Sequence, residues 1–225
     1  MIQVAIVEDH QSIIDGYLYR LSGMQVHIVA VARFGEEIET LLAKNDVDVL
    51  LLDVHVPTSA TNSNPFPVLH LIPSILARYP KLRVLVISML NQRSLIEALV
   101  EAGISGYIFK DDYNSIQKLE DVVEEVAKGG VYFSQEAYQS LRASQKSPLS
   151  SRQMEALSLC ATYPDADISI LAKQLDIKPS TFRNLLSSAY ERLGVQTRTA
   201  AINKAYQLGI LTPATLQFTS PEIKQ

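Results

Sequence analysis

Apolar positions along this chain change rhythm in ways that read as structure before any residue has a role. From Val47 to Pro57, the stretch VDVLLLDVHVP places Val47, Val49, Leu50, Leu51 and Leu52 almost without interruption. A run so apolar and so short fits a strand buried on both faces, as in parallel sheets. Ile2–Val7, Val26–Val31, Arg83–Ser88 and Gly106–Lys110 read as further strands. Between them the apolar spacing becomes helical. Ile13, Ile14, Tyr17, Leu18 and Leu21 form one stripe, and Ile38, Leu41 and Leu42 a second. Val68–Tyr79 gives a third helix, and Leu95, Ile96, Leu99 and Val100 a fourth before Gly103. Ile116, Leu119, Val122, Val123 and Val126 line the last. Gly23 marks the end of the first helix, Ser115 caps the last and Gly129-Gly130 stops it. Five strand–helix units in succession predict an α/β fold, a parallel sheet with helices on both faces.

Beyond Gly130 the strands stop. Ser134 to Pro148 is polar with room for a short helical turn, and Ser147-Pro148 reads as a boundary. Ser150 and Gln153 have capping-box spacing at a helix start, followed by Met154, Leu157 and Ala161 on one face. Ile168, Leu171, Ala172 and Leu175 mark a short second helix, and Asp176–Lys178 a turn. Pro179 suits the first position of a third helix, lined by Phe182, Leu186, Ala189 and Leu193 and ended by Gly194. A fourth carries Ala201, Ile202, Ala205 and Leu208 before Gly209. Two short helices across a tight turn predict a helix-turn-helix. The chain therefore divides into 1–130, a linker 131–147, a small all-α domain 148–211, and a tail 212–225.

Charge sharpens that division. Residues 1–147 hold 12 Lys+Arg against 18 Asp+Glu, and residues 148–225 hold 8 against 6. An acidic part joined to a mildly basic one suggests two jobs. The single Cys160 cannot form an internal disulfide, no apolar segment reaches the roughly 18 residues that span a bilayer, and the chain opens on a strand. These features point to a cytoplasmic protein that does not engage a membrane.

The chemistry lies at the strand ends. Glu8 and Asp9 end the first strand, Asp53 the third, Ser88 the fourth and Lys110 the fifth. Ligands in open α/β sheets bind outside the carboxyl ends of the strands. Three carboxylates gathered there repel each other, so positive charge must sit among them. A hard divalent cation such as Mg²⁺ suits oxygen ligands of this kind. Lys110 and the Ser88 hydroxyl complement a further anion, most simply a phosphoryl group accepted by Asp53. His10 reads as a helix-start residue near the pocket. His27, His55 and His70 lack metal-ligand spacing, which argues against zinc.

Glu8-Asp9, Asp53, Ser88 and Lys110, with Tyr107 three before the lysine, resemble the receiver domain of two-component response regulators over about residues 2–130. The resemblance implies a strand order of 2-1-3-4-5 and a phosphoacceptor at Asp53, charged by a sensor histidine kinase. It implies Mg²⁺ held by Asp9, Asp53 and the backbone carbonyl of His55, with Glu8 acting through water. Ser88 and Lys110 would hold the phosphoryl oxygens, and Tyr107 would swing inward when Ser88 moves. One departure stands out. Receivers usually follow the acceptor strand with a short loop ending in Asp-Gly or a similar turn, whereas Pro57 is followed by TSATNSNPFP with no glycine. Thr58–Asn64 reads as an insertion over Asp53, stiffened at its end by Pro65 and Pro67, that is either simply flexible or modulates kinase access or phosphoryl lifetime. Pro73 is expected to kink or shorten the following helix.

The run LAKQLDIKPSTFRNLLSSAYERLGV resembles the LuxR-type DNA-binding domain that closes NarL/FixJ-type response regulators, over about residues 148–211. By that resemblance the helix from Pro179 enters the major groove, with Arg183, Asn184 and Ser187 facing base edges. Lys178, Ser180, Thr181 and Arg192 would meet phosphates. The helix around Thr199–Gln207 would carry a dimer contact formed on phosphorylation. Apolar Ile170 and Leu185 stand where the family commonly has polar groups. The expected function is promoter binding controlled by Asp53; the alternative is control through protein contacts with DNA binding weakened or lost. An enzyme is disfavoured. A haloacid-dehalogenase-like phosphatase usually carries a second aspartate where this chain has His55, and no glycine-rich phosphate loop is present.

Overall fold

The computed structural model describes residues 1–142 and 148–211. The first half runs β1 (Ile2–Val7), α1 (Gln11–Arg20), β2 (Val26–Ala32), a 3₁₀ turn (Gly35–Glu37), α2 (Ile38–Lys44), β3 (Val49–Leu52), β4 (Pro57–Ser59), β5 (Asn62–Pro65) and α3 (Val68–Arg78). It continues with β6 (Arg83–Ser88), α4 (Arg93–Ala102), β7 (Gly106–Phe109), α5 (Tyr113–Gln117), α6 (Leu119–Ala127), β8 (Tyr132–Phe133) and α7 (Gln135–Arg142). The main sheet has the order β2-β1-β3-β6-β7-β8 with every pair parallel. Five of these strands are the expected 2-1-3-4-5 order. The sixth, β8, arises from residues read as linker.

Alternation along each strand divides the core between two faces. Val4, Ile6, Val49, Leu51, Leu85 and Ile87 pack under α1 and α6. Ala5, Val7, Leu50, Leu52, Val84 and Val86 pack on the opposite side, with Ile38, Leu42, Ile72, Ile96 and Leu99 of α2, α3 and α4. Gly106 lets β8 approach, because a Cβ there would stand 2.4 Å from the Tyr132 carbonyl oxygen.

Three local expectations change. The last helical stretch divides at Lys118, and its cap is Asp112, whose carboxylate accepts the Ser115 N–H at 3.1 Å and the Ser115 hydroxyl at 2.7 Å. Ser115 is the capped residue, three positions inside. Helix α1 stops at Arg20 with Leu21 as its cap, before Gly23. Helix α3 runs to Arg78 with Pro73 inside it, so the proline does not shorten it.

The stretch read as a flexible insertion is an ordered antiparallel hairpin, β4 against β5, pairing Pro57 with Pro65 and Ser59 with Asn62. Its short polar side chains satisfy its own backbone. Thr58 Oγ1 donates to the Asn64 carbonyl at 2.8 Å, Ser59 Oγ accepts the Asn62 N–H at 3.1 Å, and Asn62 Oδ1 accepts the Asn64 N–H at 3.1 Å. Phe66 then seats over Gly35, where a Cβ would stand 1.9 Å from the ring carbon Cγ. Gly35→Ala should displace the ring and cost about 1–3 kcal/mol, as overpacking does in cores. The denaturation midpoint measures it, and an unchanged midpoint would mean that the ring yields freely.

The second half comprises α8 (Ser151–Thr162), α9 (Ile168–Gln174), α10 (Pro179–Leu193) and α11 (Arg198–Gln207). The capping box of Ser150 and Gln153 is formed in both directions. Pro179 opens α10, and Gly194 closes it in the left-handed region at φ 68°. Leu157, Leu171, Phe182, Leu186 and Ala201 are buried and merge into the apolar cluster that packs under α3 and α4. Residues 143–147 of the expected linker and the expected tail 212–225 lie outside the described residues.

Candidate functional site

The parallel sheet sets the carboxyl ends of β1, β3, β6 and β7 side by side, and the residues just past those ends form the site. Asp53 is held by its own chain. Its N–H donates to the Val7 carbonyl at 3.0 Å, and its Oδ1 accepts the His55 N–H at 3.0 Å. Glu8 is 1% exposed and Asp53 5%. Lys110 Nζ lies between them, 2.6 Å from Glu8 Oε2 and 2.7 Å from Asp53 Oδ2. The positive charge required by the clustered acids is thus supplied by the chain itself. Burial alone would lower the Lys110 ammonium, but the facing carboxylates of Asp53 and Glu8 outweigh it and hold the group above its ordinary value.

Asp9 and His10 complete the acidic corner. One ligand atom each from Glu8, Asp9 and His10 lies within 4.8 Å of the others. The His10 ring is half exposed, with Nδ1 3.1 Å from Glu8 Oε1 and 2.9 Å from Asp9 Oδ1. Asp9 Oδ1 is nevertheless a buried oxygen that accepts no hydrogen bond. Such an oxygen, beside the Glu8 carboxylate and the His10 ring, fits a divalent cation, whereas Asp53 lies outside this cluster.

Ser88 and Tyr107 meet at the backbone of Leu90. The Tyr107 hydroxyl donates to the Leu90 carbonyl at 2.6 Å, and Ser88 Oγ accepts the Leu90 N–H at 3.3 Å. Tyr107 lies at the inward position with no exposed surface. Burial raises its phenol well above the ordinary tyrosine value; the Ser88 hydroxyl opposes that rise and the Asp53 charge adds to it. Its backbone is fixed as well, since the Ser134 N–H donates to the Tyr107 carbonyl at 2.9 Å.

A cavity of about 420 Å³ opens beside these groups, lined by His10, Tyr17, Asp53, His55, Ser88 and Lys110 among others. Tyr17 is the residue that sequence reasoning missed. Helical spacing gave it to the core, and its ring is buried there, yet its hydroxyl has no hydrogen-bond partner. Burial raises that phenol far above its ordinary value, and the Glu8 and Asp53 charges add to the rise. The available signal was a polar atom on an otherwise aliphatic stripe.

On the second half, Lys178, Ser180, Thr181, Arg183, Asn184, Ser187 and Arg192 are all exposed along α10 and its entry. Phe182, Leu186, Ala189 and Leu193 fill the buried side of the same helix. Ile170 on α9 is 54% exposed, and Leu185 is half-buried.

Comparison with known proteins points to one family and one fold. The response regulator receiver domain family matches residues 4–124. The transcriptional regulatory protein DegU of Brevibacillus brevis is 25% identical over 239 residues, covering 92% of this chain and 94% of that protein. The transcriptional regulatory protein DesR of Bacillus subtilis is 25% identical over 211 residues, covering 93% and 98%. Among solved structures, RcsB of Salmonella enterica serovar Typhimurium, bound to promoter rprA with the phosphomimetic BeF3-, is similar at TM-score 0.64. That likeness covers 90% of this chain and 97% of the other at 21% identity, and carries the fold.

Proposed function

Because this chain belongs to the response regulator receiver domain family, we propose that it is a DNA-binding transcriptional response regulator of the NarL/FixJ type, charged at Asp53 by a sensor histidine kinase. The observation that carries the proposal is the Lys110 ammonium bridging buried Glu8 and Asp53. It keeps a buried carboxylate beside a cation at the end of the sheet. In the transfer, a carboxylate oxygen of Asp53 bonds to phosphorus while the donor's leaving group departs with the electron pair of the broken bond. Lys110 and the Ser88 hydroxyl receive the phosphoryl oxygens. Mg²⁺ would be held by Asp9, Asp53 and the His55 carbonyl, with Glu8 acting through water, and would neutralise charge on the transferring group. Ser88 and Tyr107 share the Leu90 backbone, so a shift of the hydroxyl toward a phosphoryl oxygen passes to Tyr107 and biases a two-state equilibrium.

The receiver is assigned residues 1–130, the linker 131–147 and the DNA-binding domain 148–211, in a cytoplasmic protein that pairs with a second copy when phosphorylated. DegU and DesR are transcriptional regulatory proteins, and the RcsB structure holds that regulator on a promoter; both support promoter DNA as the partner. Arg183→Ala should weaken specific promoter binding by about 1–3 kcal/mol, whereas Lys178→Ala should weaken all sequences alike and reduce the salt slope by about one. Titration of promoter fragments, first selected from genomic DNA with and without a phosphoryl mimic, measures both. The exposed Ile170 and half-buried Leu185 favour a second reading, control through protein contact. Absence of any salt-dependent DNA binding would select it.

A further inference from the structure

We propose that the β4–β5 hairpin is a clasp that holds helix α8 against the receiver half and ties its grip to the state of the Asp53 carboxylate. The clasp itself stands on geometry alone; the coupling gains its purpose from Asp53 being the phosphoacceptor. The Asn62 and Asn64 side-chain amides both donate to the Thr162 carbonyl, at 3.2 and 3.1 Å. That carbonyl belongs to the last turn of α8, where backbone oxygens lack helical partners. Thr162 Oγ1 returns a bond to the Pro65 carbonyl at 2.8 Å while also reaching the Ser158 carbonyl at 3.1 Å. The hairpin therefore caps a helix about a hundred residues away, and does so through a threonine that is 2% exposed.

Beneath these bonds Phe66, Leu69, Ala161 and Ile210 close to a residual void of only about 30 Å³. Polar satisfaction and apolar packing coincide at this seam. The insertion supplies side chains suited to it: two short amides, each able to donate to a carbonyl while the backbone of the turn is held by its own bonds.

The connection to Asp53 is short. The carboxylate accepts the His55 N–H at 3.0 Å, and the next residue, Val56, accepts the Phe66 N–H at 3.0 Å at the foot of the hairpin. Pro65, adjacent to Phe66, takes the Thr162 hydroxyl. A change at Asp53 that removes or redirects the His55 bond therefore moves the foot of the hairpin, and the hairpin carries α8. Coupling of this kind is reciprocal, so α8 also acts on Asp53.

Amide hydrogen exchange on the full chain tests both parts without requiring phosphate. Thr162→Val leaves every bond within the hairpin in place and removes only the hydroxyl. It should raise exchange about tenfold in the last turn of α8 and in residues 57–65, with β1 and β6 unchanged, which corresponds to the net worth of one to two hydrogen bonds. Asn62→Ala with Asn64→Ala should do the same. Asp53→Ala, which removes the Asp53 oxygen that receives the His55 N–H, should raise exchange in the same two segments by a smaller factor. Exchange at α8 equal to wild type in the Thr162 and double-asparagine variants would overturn the clasp. Unchanged exchange in the Asp53 variant would overturn the coupling. Phosphate incorporation is measured separately, so an Asp53 that takes no phosphate while the exchange pattern holds would refute the phosphorylation reading and leave the clasp intact.

Discussion

Asp53→Asn should reduce phosphate incorporation from a small acyl phosphate with Mg²⁺ to background while the chain stays folded. The amide keeps the shape of the carboxylate and an oxygen able to accept the His55 N–H, so the loop after β3 retains its bond. What disappears is the anionic oxygen that forms the bond to phosphorus. The substitution also relieves the crowding of two acids around one cation, because Lys110 keeps Glu8 at 2.6 Å. Stability should therefore change by no more than about 1 kcal/mol. Radiolabel retained on the denatured variant at the wild-type level would refute Asp53 as the acceptor. A variant that fails to melt cooperatively would show that the carboxylate is needed for the fold.

The second large effect is expected at Lys110. Replacement by methionine keeps the length of the side chain and removes the charge, leaving two buried carboxylates facing each other. Breaking a buried pair from one side costs about 3–5 kcal/mol. Mg²⁺ should restore more stability to the variant than it adds to wild type, since a divalent cation supplies the missing charge. Denaturant titrations at pH 7, with and without Mg²⁺, measure both effects. A variant as stable as wild type at pH 7 without divalent ions would remove Lys110 from its central place. Loss of phosphate incorporation alone would not restore it.

The sheet and the acidic corner were legible because period and position carry them. Leu50, Leu51 and Leu52 have no polar neighbour to place at a surface, so a strand buried on both faces followed, and Asp53 had to stand at its end. Lys110 was found by the same reasoning, one residue past a short apolar run. The hairpin was not legible. Its stretch from Thr58 to Asn64 has neither alternation nor a glycine turn, and its order comes from side chains bonding to backbone and from Thr162, about a hundred residues away. Strand β8 is two residues long, too short for any period, and rests on the room left by Gly106. Ser115 and Asp112 are both good capping residues, and only the direction of one hydrogen bond separates them.

The open face of α10 bears on how such a switch can work. The side chains proposed to meet DNA stand in solvent while α8 is seated against the receiver half, so on the proposed function their exposure does not depend on releasing α8. On the proposed function, what a signal can adjust is the span and angle between two copies of α10. A signal at Asp53 would then be expressed in the spacing of the sites that can be bridged, leaving the grip of a single copy on a single site unchanged.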